Sequence, residues 1–264
     1  MAENKWINAF IEAWELLTEL PVPKILKNNN TSSVDSAYII AVFPLVGALV
    51  GILLFSVAFF CNIFIPVKSA SAIIGAITIN LLSEIFIAGG NTFSLTAFIQ
   101  AKKAKCSNFE TAAVVEAASN GSAQLNQIYI ISIYLLKTAG FSLLIFYDRL
   151  HWIIILYTLS FLIRSQLALC NDIRTAKPLF DSEQKEELIK YPWISAVVIS
   201  IFTAGLSLLP AALAVLLLSY FLLRLFDKYI KENTGGVTAE IIAGAGTFSE
   251  LILLLAGVIL LVRN

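Results

Sequence analysis

The sequence predicts an all-α fold, a polytopic membrane helix bundle of about seven transmembrane helices with an amphipathic N-terminal helix. Of its 264 residues, 58% are hydrophobic and only 14% are charged, whereas soluble chains average about 25% charged residues. The charges are also unevenly spaced, since none occurs between Asp35 and Lys68 or between Lys190 and Arg224. Uncharged apolar stretches of this length predict membrane-spanning helices. We therefore expect residues 1–264 to form a single integral membrane domain.

Residues 1–23 are predicted to form the amphipathic helix rather than a cleavable signal peptide. Apolar side chains recur at helical spacing from Trp6 to Leu17 on one face. The uncharged core of a signal peptide would not contain the glutamates Glu12, Glu15 and Glu19. Pro21 and Pro23 are expected to end the helix. We expect it to lie along the headgroup layer or to dock onto the bundle.

Seven apolar stretches are the candidate spans. The first is longer than a hydrocarbon core of about 30 Å requires at about 1.5 Å of rise per residue, so its ends should protrude or the helix should tilt. Residues 191–225 allow two interpretations, a hairpin of two short helices around Pro210 or one long kinked helix. The candidate spans are 37–64, 69–89, 128–147, 152–170, 193–209, 211–225 and 248–262.

The distribution of lysine and arginine favours the hairpin and predicts the orientation. With seven spans, the N-terminus and the loops 90–127, 171–192 and 226–247 share one face and carry twelve of these cations, against three on the other face. The positive-inside rule then places the N-terminus in the cytoplasm. Residues 90–127 form the main cytoplasmic excursion. Because long connections usually carry function or structure of their own, we expect any chemistry at the cytoplasmic face.

Composition excludes several other classes of protein. A formal net charge of zero provides no basic field for nucleic acid. Cys61, Cys106 and Cys170 lack the C-x-x-C spacing of a zinc ribbon and are odd in number, so they indicate no disulfide framework. The single histidine, His151, cannot build a multi-histidine metal site.

Four ionisable residues interrupt the apolar spans. Glu84 and Arg224 lie near the predicted cytoplasmic ends and can reach the interface by snorkelling. Lys137 and Arg164 lie deeper, where a charge is costly without a partner or a water-filled cavity. Either the two cations line a cavity for an anionic group, to which guanidinium is well suited, or Glu84 pairs with one of them and locks the bundle. The sequence leaves both interpretations open.

Several short motifs occur in a characteristic order along the chain. They are L-T-E-L-P-V-P at 17–23, F-P-L-V-G at 43–47 with Gly51 one turn later, Gly89-Gly90 at the end of the second span, Lys137, Arg164, and Gly235-Gly236-Val237-Thr238. With this ordered set the chain resembles the adenosylcobinamide-GDP ribazoletransferase (cobalamin synthase) family over nearly its whole length. The resemblance implies a bacterial inner-membrane protein.

The resemblance also implies a reaction and a binding site. The family joins adenosylcobinamide-GDP to α-ribazole or its phosphate in cobalamin lower-loop assembly and releases GMP, with Mg²⁺ at the cytoplasmic face. A corrinoid or nucleotide ligand is therefore expected. The positions that match the family's motifs, and hence the predicted substrate-binding residues, are Gly89, Gly90, Lys137, Arg164, Gly235, Gly236 and Thr238.

The acidic motif of the family is missing. Where the family has H-L-D-G-x-x-D-x-x-D, this chain has Thr92 in place of the histidine and Ser94, Phe98 and Ala101 in place of the three aspartates. The next family element, K-D-S-R-I-G-T-Y-G, aligns near 118–123, which contain no Lys, Asp or Arg. The family's Mg²⁺ is thus expected to lack most of its ligands here.

Few family carboxylates remain. Glu240 replaces the aspartate of G-G-x-T-G-D, Thr247 replaces a second family glutamate, and Glu250 occupies the position of a third. Glu240 and Glu250 are therefore the candidate metal ligands. Near the N-terminus, Glu19 stands where the family usually has arginine.

Three functional hypotheses follow. The first is a divergent transferase of cobamide intermediates, impaired by loss of the aspartates. The second is a pseudoenzyme that binds or scaffolds cobamide intermediates, as a homo-oligomer or together with an active paralogue. The third is a membrane transporter, which the charges inside the spans suggest and the very short outer turns disfavour.

Overall fold

A computed structural model of the chain describes residues 3–22, 35–87, 123–170, 188–233 and 239–262. Within these ranges the secondary structure is helical apart from one isolated β-bridge, between Thr18 and Ile87, which confirms the all-α prediction. The helices are α1 (Glu3–Leu17), α2 (Ser36–Ala41), α3 (Phe43–Phe64), α4 (Lys68–Phe86), α5 (Ala123–Phe146), α6 (Trp152–Cys170), α7 (Lys190–Ala204), α8 (Leu209–Asn233) and α9 (Ala239–Val262).

The described helices include six of the seven predicted spans and a shorter apolar helix in place of the seventh. Six of the described helices, α3 to α6, α8 and α9, are long and apolar enough to cross a membrane, and α7 is a shorter apolar helix of 15 residues. The chain is accordingly an integral membrane protein. The predicted first span, 37–64, is divided at Val42 into α2 and α3, with Pro44 in the first turn of α3. The division leaves α3 with 22 residues, which is about 33 Å and matches the bilayer core.

The helices from α3 to α9 alternate in direction. The short turns 65–67, 147–151 and 205–208 therefore lie at one end of the bundle, which we call the short-turn face. Lys68 Nζ and Asp148 Oδ2, 2.6 Å apart, join two of these turns. The opposite end, the loop face, carries α1 and α2. The described residues that flank 88–122, 171–187 and 234–238 also lie there, as predicted for the long connections. The predicted excursion 90–127 lies outside the described residues except for its last residues, which begin α5.

Residues 191–225 form the hairpin rather than one kinked helix. The rings of Trp193 in α7 and Tyr220 in α8 lie 6.1 Å apart, whereas a continuous helix would separate them by about 40 Å. The reversal occurs at Gly205, whose φ of 59° and ψ of −171° fall in a region essentially restricted to glycine. The break is thus at Gly205, and Pro210 lies in the first turn of α8, where its missing N–H costs no helical hydrogen bond.

Helix α6 forms the centre of the bundle. Seventeen of its 19 residues are buried, and it packs against α3, α7, α8 and α9. A helix that is buried on all sides is expected to be apolar all round, so the presence of Arg164 in α6 requires a specific partner. The peripheral helices instead expose large apolar side chains, including Phe60, Phe64 and Leu217, as expected for surfaces in contact with lipid.

Two glycines allow α3 to approach α6 closely. A Cβ added at Gly47 would lie 2.6 Å from the carbonyl oxygen of Tyr157, and one at Gly51 would lie 2.8 Å from Cα of Ile154. The spacing is that of the G-x-x-x-G motif, which lets two membrane helices pack backbone to backbone. The F-P-L-V-G motif and the following glycine therefore serve this helix contact.

The N-terminal helix docks onto the loop face of the bundle. The Trp6 ring lies 5.1 Å from both the Tyr38 and the Tyr191 rings, and the Glu19 N–H donates to the Phe86 carbonyl at 3.0 Å. Of the two expected positions of this helix, the structure therefore supports docking onto the bundle. The helix ends at Leu17, before the prolines that were expected to end it, because the next residues form backbone contacts with the end of α4.

His151, in the turn between α5 and α6, should make the stability of the folded protein depend on pH. Partial burial, and next the charge of Arg149, lower the pKa of His151 below its usual 6.5. As the pH falls through about 6.5, the unfolded chain takes up a proton before the folded one, so the folded state loses stability. We expect the melting temperature to decrease as the pH is lowered from 7.5 to 5.5. Because His151 is the single histidine, His151→Gln should flatten this part of the profile; an unchanged slope in that variant would refute the prediction.

Candidate functional site

The two deep cations of the sequence meet at one carboxylate in the middle of the bundle. Lys137 in α5 and Arg164 in α6 are each 2% exposed, and Glu250 in α9 is 1% exposed. Lys137 Nζ donates to Glu250 Oε2 at 2.8 Å, and Arg164 Nη2 donates to Oε1 at 3.0 Å. Ser160 Oγ also donates to Oε1, at 3.1 Å. We call Lys137, Ser160, Arg164 and Glu250 the ion cluster; it joins three helices.

Local sequence explains why these side chains reach one another. Ser160 and Arg164 are four residues apart and therefore lie on the same side of α6. Gly246 lies one turn before Glu250 in α9, and a Cβ added there would come within 2.8 Å of Arg164 Cδ. The glycine thus leaves the space through which the arginine side chain passes to the carboxylate. Ser160 Oγ also lies 3.1 Å from the Gly246 carbonyl oxygen, which keeps the two helices close together.

The electrostatics of the ion cluster favour a fixed arrangement. A buried charge in a membrane is costly unless it is paired and hydrogen-bonded, and each charge here has a direct partner. The Arg164 guanidinium also lies 4.8 Å from the centroid of the Phe161 ring, a cation–π contact. Glu84 interacts electrostatically with Arg164 as well.

The ion pairs of Lys137 and Arg164 correspond to one of the two alternatives that the sequence left open, in which a carboxylate locks the bundle. The carboxylate that binds both deep cations is Glu250, whereas the sequence suggested Glu84 as the locking residue. The fourth ionisable residue of the spans, Arg224, lies on an exposed side of α8 and donates from Nε to the Tyr220 hydroxyl at 3.0 Å. It takes no part in the ion cluster.

Sequence reasoning missed Glu250 as a counter-ion because it placed the start of the last span too late. A span of 248–262 would put Glu250 at the membrane edge, but α9 begins at Ala239, which puts Glu250 near its middle. The uncharged stretch 241–249 that precedes Glu250 was the signal for this longer helix. An intramembrane glutamate facing two intramembrane cations could then have been expected.

The predicted substrate-binding residues are only partly covered by the structure. It brings together Lys137 and Arg164, and both lie deep in the bundle rather than at the loop face. The other predicted binding residues lie outside the described residues, namely Gly89, Gly90, Gly235, Gly236 and Thr238. Their predicted role stays a prediction.

The described residues do not fit the magnesium site that the family implies. Glu240 and Glu250 are ten residues apart in α9, so their backbone positions are separated by about 15 Å along the helix axis. Glu250 already accepts hydrogen bonds from two cations, which would repel a divalent ion. Across the described ranges, no group of three His, Cys, Asp or Glu side chains is arranged to hold a metal. Metal binding by Glu240 or Glu250 thus remains a prediction that this geometry does not favour.

Comparison with known proteins supports the family inferred from the motifs. A family model described as cobalamin-5-phosphate synthase matches residues 9–90, from α1 to just beyond the end of α4. No curated protein and no solved structure matches the chain. The matched segment includes the second half of the docked N-terminal helix, the G-x-x-x-G contact and the Gly89-Gly90 pair. The resemblance to the cobalamin synthase family, membrane transferases of cobalamin biosynthesis, is thereby confirmed for residues 9–90.

Proposed function

We propose that this protein is a membrane component of cobalamin lower-loop assembly that binds a corrinoid or nucleotide intermediate and has lost the magnesium-dependent transfer reaction. One observation carries the proposal. The family match ends at Gly90, and the family's catalytic motif would follow immediately. Its aspartate positions hold Ser94, Phe98 and Ala101. Without carboxylates there, Mg²⁺ lacks the anionic ligands that would hold it against a pyrophosphate.

The fold supports a binding role at the loop face. The helix that precedes Gly89-Gly90 ends at this face, and the helix that follows Gly235-Gly236 begins there. Beneath that face, the ion cluster holds α5, α6 and α9 together. We expect Lys137 and Arg164 to act mainly as structural cations, because a phosphate could reach them only by displacing the Glu250 carboxylate.

A direct test separates binding from catalysis. Purified protein is incubated with adenosylcobinamide-GDP, α-ribazole and Mg²⁺, and cobamide and GMP are measured against a relative with an intact acidic motif. We expect no product. Isothermal titration with adenosylcobinamide-GDP should nevertheless show binding that is unaffected by EDTA. Product formation would instead establish a divergent transferase, and absence of binding to any corrinoid or nucleotide would refute the proposal.

Restoring the acidic motif should restore activity if the loss of carboxylates is the cause. The variant T92H/S94D/F98D/A101D should form cobamide in a magnesium-dependent manner. The matched control T92H/S94N/F98N/A101N has side chains of similar size without charge and should stay inactive. A rate at least about tenfold above the control would correspond to only about 1.4 kcal/mol of transition-state stabilisation, a modest demand on a bound metal ion. Equal rates in both variants would contradict the explanation.

A further inference from the structure

A cavity opens at the short-turn face, away from the family motifs. Its volume is about 260 Å³, and it lies between the turn after α5, the hairpin turn and the end of α9. Arg149 and Ser207 provide its polar side, and Leu208, Pro210, Leu260 and Leu261 are among the residues of its apolar side. The cavity therefore combines one cation with an apolar wall at the end of a membrane bundle.

Arg149 lacks the carboxylate partner that Lys68, Lys137 and Arg164 have in the described structure. Lys68, on the same face, is paired with Asp148, and Lys137 and Arg164 are paired with Glu250. The Arg149 side chain forms no ion pair with a carboxylate in the described ranges, and its Nε is buried without a hydrogen-bond partner there. A buried N–H of a guanidinium is costly to leave without an acceptor. Because no described carboxylate neutralises this guanidinium and the residue lines the cavity, an anion with oxygen acceptors suits the site.

The position and size of the cavity indicate which anion. Short turns between membrane helices lie near the lipid headgroups, which border the hydrocarbon core on both sides of the bilayer, and a guanidinium at that level is well suited to a headgroup phosphate. Small-molecule pockets usually measure about 300–1,000 Å³, so this cavity is smaller than a nucleotide or corrinoid site requires. The cavity has room for one phosphate group next to Arg149, with the first carbons of an acyl chain packed against the apolar wall.

We propose that this cavity binds the headgroup phosphate of an anionic phospholipid, with Arg149 as its charged ligand and Leu260 and Leu261 against the lipid chain. Guanidinium matches the oxygens of a phosphate with two parallel hydrogen bonds. The bound lipid would bridge the α5–α6 turn, the hairpin turn and the end of α9. It would therefore stabilise the short-turn end of the bundle.

Native mass spectrometry of the detergent-purified full chain tests the proposal. The protein is titrated with phosphatidylglycerol and, separately, with phosphatidylcholine. We expect one tightly held phosphatidylglycerol, and about tenfold weaker retention in Arg149→Gln, as expected on loss of a charge-assisted hydrogen bond. Lys68→Gln is the matched control, since it removes a cation from the same face without lining the cavity, and should retain the lipid. Ser207→Trp, which keeps the guanidinium but covers the exposed entrance, should also lose it.

Any of the following four results would overturn the proposal. Equal retention of phosphatidylglycerol by Arg149→Gln, with an unchanged size-exclusion profile, would exclude Arg149 as the ligand. Equal losses in Lys68→Gln and Arg149→Gln would indicate a diffuse surface attraction. Thermal stabilisation by millimolar inorganic phosphate that equals the effect of phosphatidylglycerol would identify the ligand as a free anion. Tight retention of phosphatidylcholine would show that the net charge of the lipid is not recognised.

Discussion

Replacing Glu250 with alanine should destabilise the folded protein by about 3–5 kcal/mol, the effect expected when one partner of a buried ion pair is removed. Lys137 and Arg164 would remain buried in the bundle without the carboxylate that contacts both, and Ser160 would lose its acceptor. The free energy of unfolding, measured by SDS titration in mixed micelles, reports the loss. Bound ligand is not needed for this measurement, so it is independent of the proposed function.

Two further variants make the Glu250 prediction specific. Asp148→Asn breaks an ion pair of similar length that is exposed, and should cost less than about 1 kcal/mol. The triple variant K137M/R164L/E250L removes every charge of the ion cluster and should recover most of the stability, because no uncompensated charge remains. A Glu250→Ala variant as stable as Asp148→Asn would show that the ion cluster does not hold the bundle together.

Replacing Gly47 with valine should cost about 3 kcal/mol, the upper end of the usual cost of overpacking. Its Cβ would lie 2.6 Å from a carbonyl oxygen and 2.8 Å from the Phe161 Cβ, both on α6. Because these atoms belong to or adjoin the helix backbone, relief requires moving α3 away from α6. Since α6 carries Ser160 and Arg164, the same movement should weaken the ion cluster. The effect is measured as the shift of the SDS unfolding midpoint.

Gly75→Ala is the matched control for Gly47→Val. The nearest atom to a Cβ at Gly75 is the terminal Cδ1 of Ile145, at 3.1 Å, and a flexible side-chain end can move by a few tenths of an ångström. We therefore expect a loss well below that of Gly47→Val. Comparable losses of stability in the two variants would mean that the close approach of α3 to α6 is no more important for stability than an ordinary helix contact.

Hydropathy and charge determined the class of fold because these are local properties of the chain. A bilayer requires long uncharged helices, and the uncharged runs that follow Asp35 and Lys190 predicted them from composition alone. Because these properties are local, they predicted the ends of the helices less accurately than their existence. Nothing in the apolar pattern of 37–64 required a break at Val42, and the predicted start of the last span missed the first turns of α9.

The candidate site depended on neighbours that lie far apart in the sequence. Lys137 and Arg164 were recognised because a charge within an apolar run is conspicuous, but the family resemblance assigned them to substrate and the sequence offered Glu84 as their partner. Glu250 lies 113 residues from Lys137 and 86 from Arg164. No local pattern states which of several carboxylates meets them. The packing of α9 on α5 and α6, with Gly246 at the contact, decides it.

The sequence by itself determined the membrane bundle and the resemblance to the family, since each depends on which residues occur in which order. The tertiary structure decided that α7 and α8 turn back on each other, that Glu250 neutralises the deep cations, and that Arg149 faces a cavity without a carboxylate in the described part of the chain. These are statements about distance between helices. Side-chain packing and the cost of an unpaired buried charge select one arrangement among the many that the same hydropathy pattern permits.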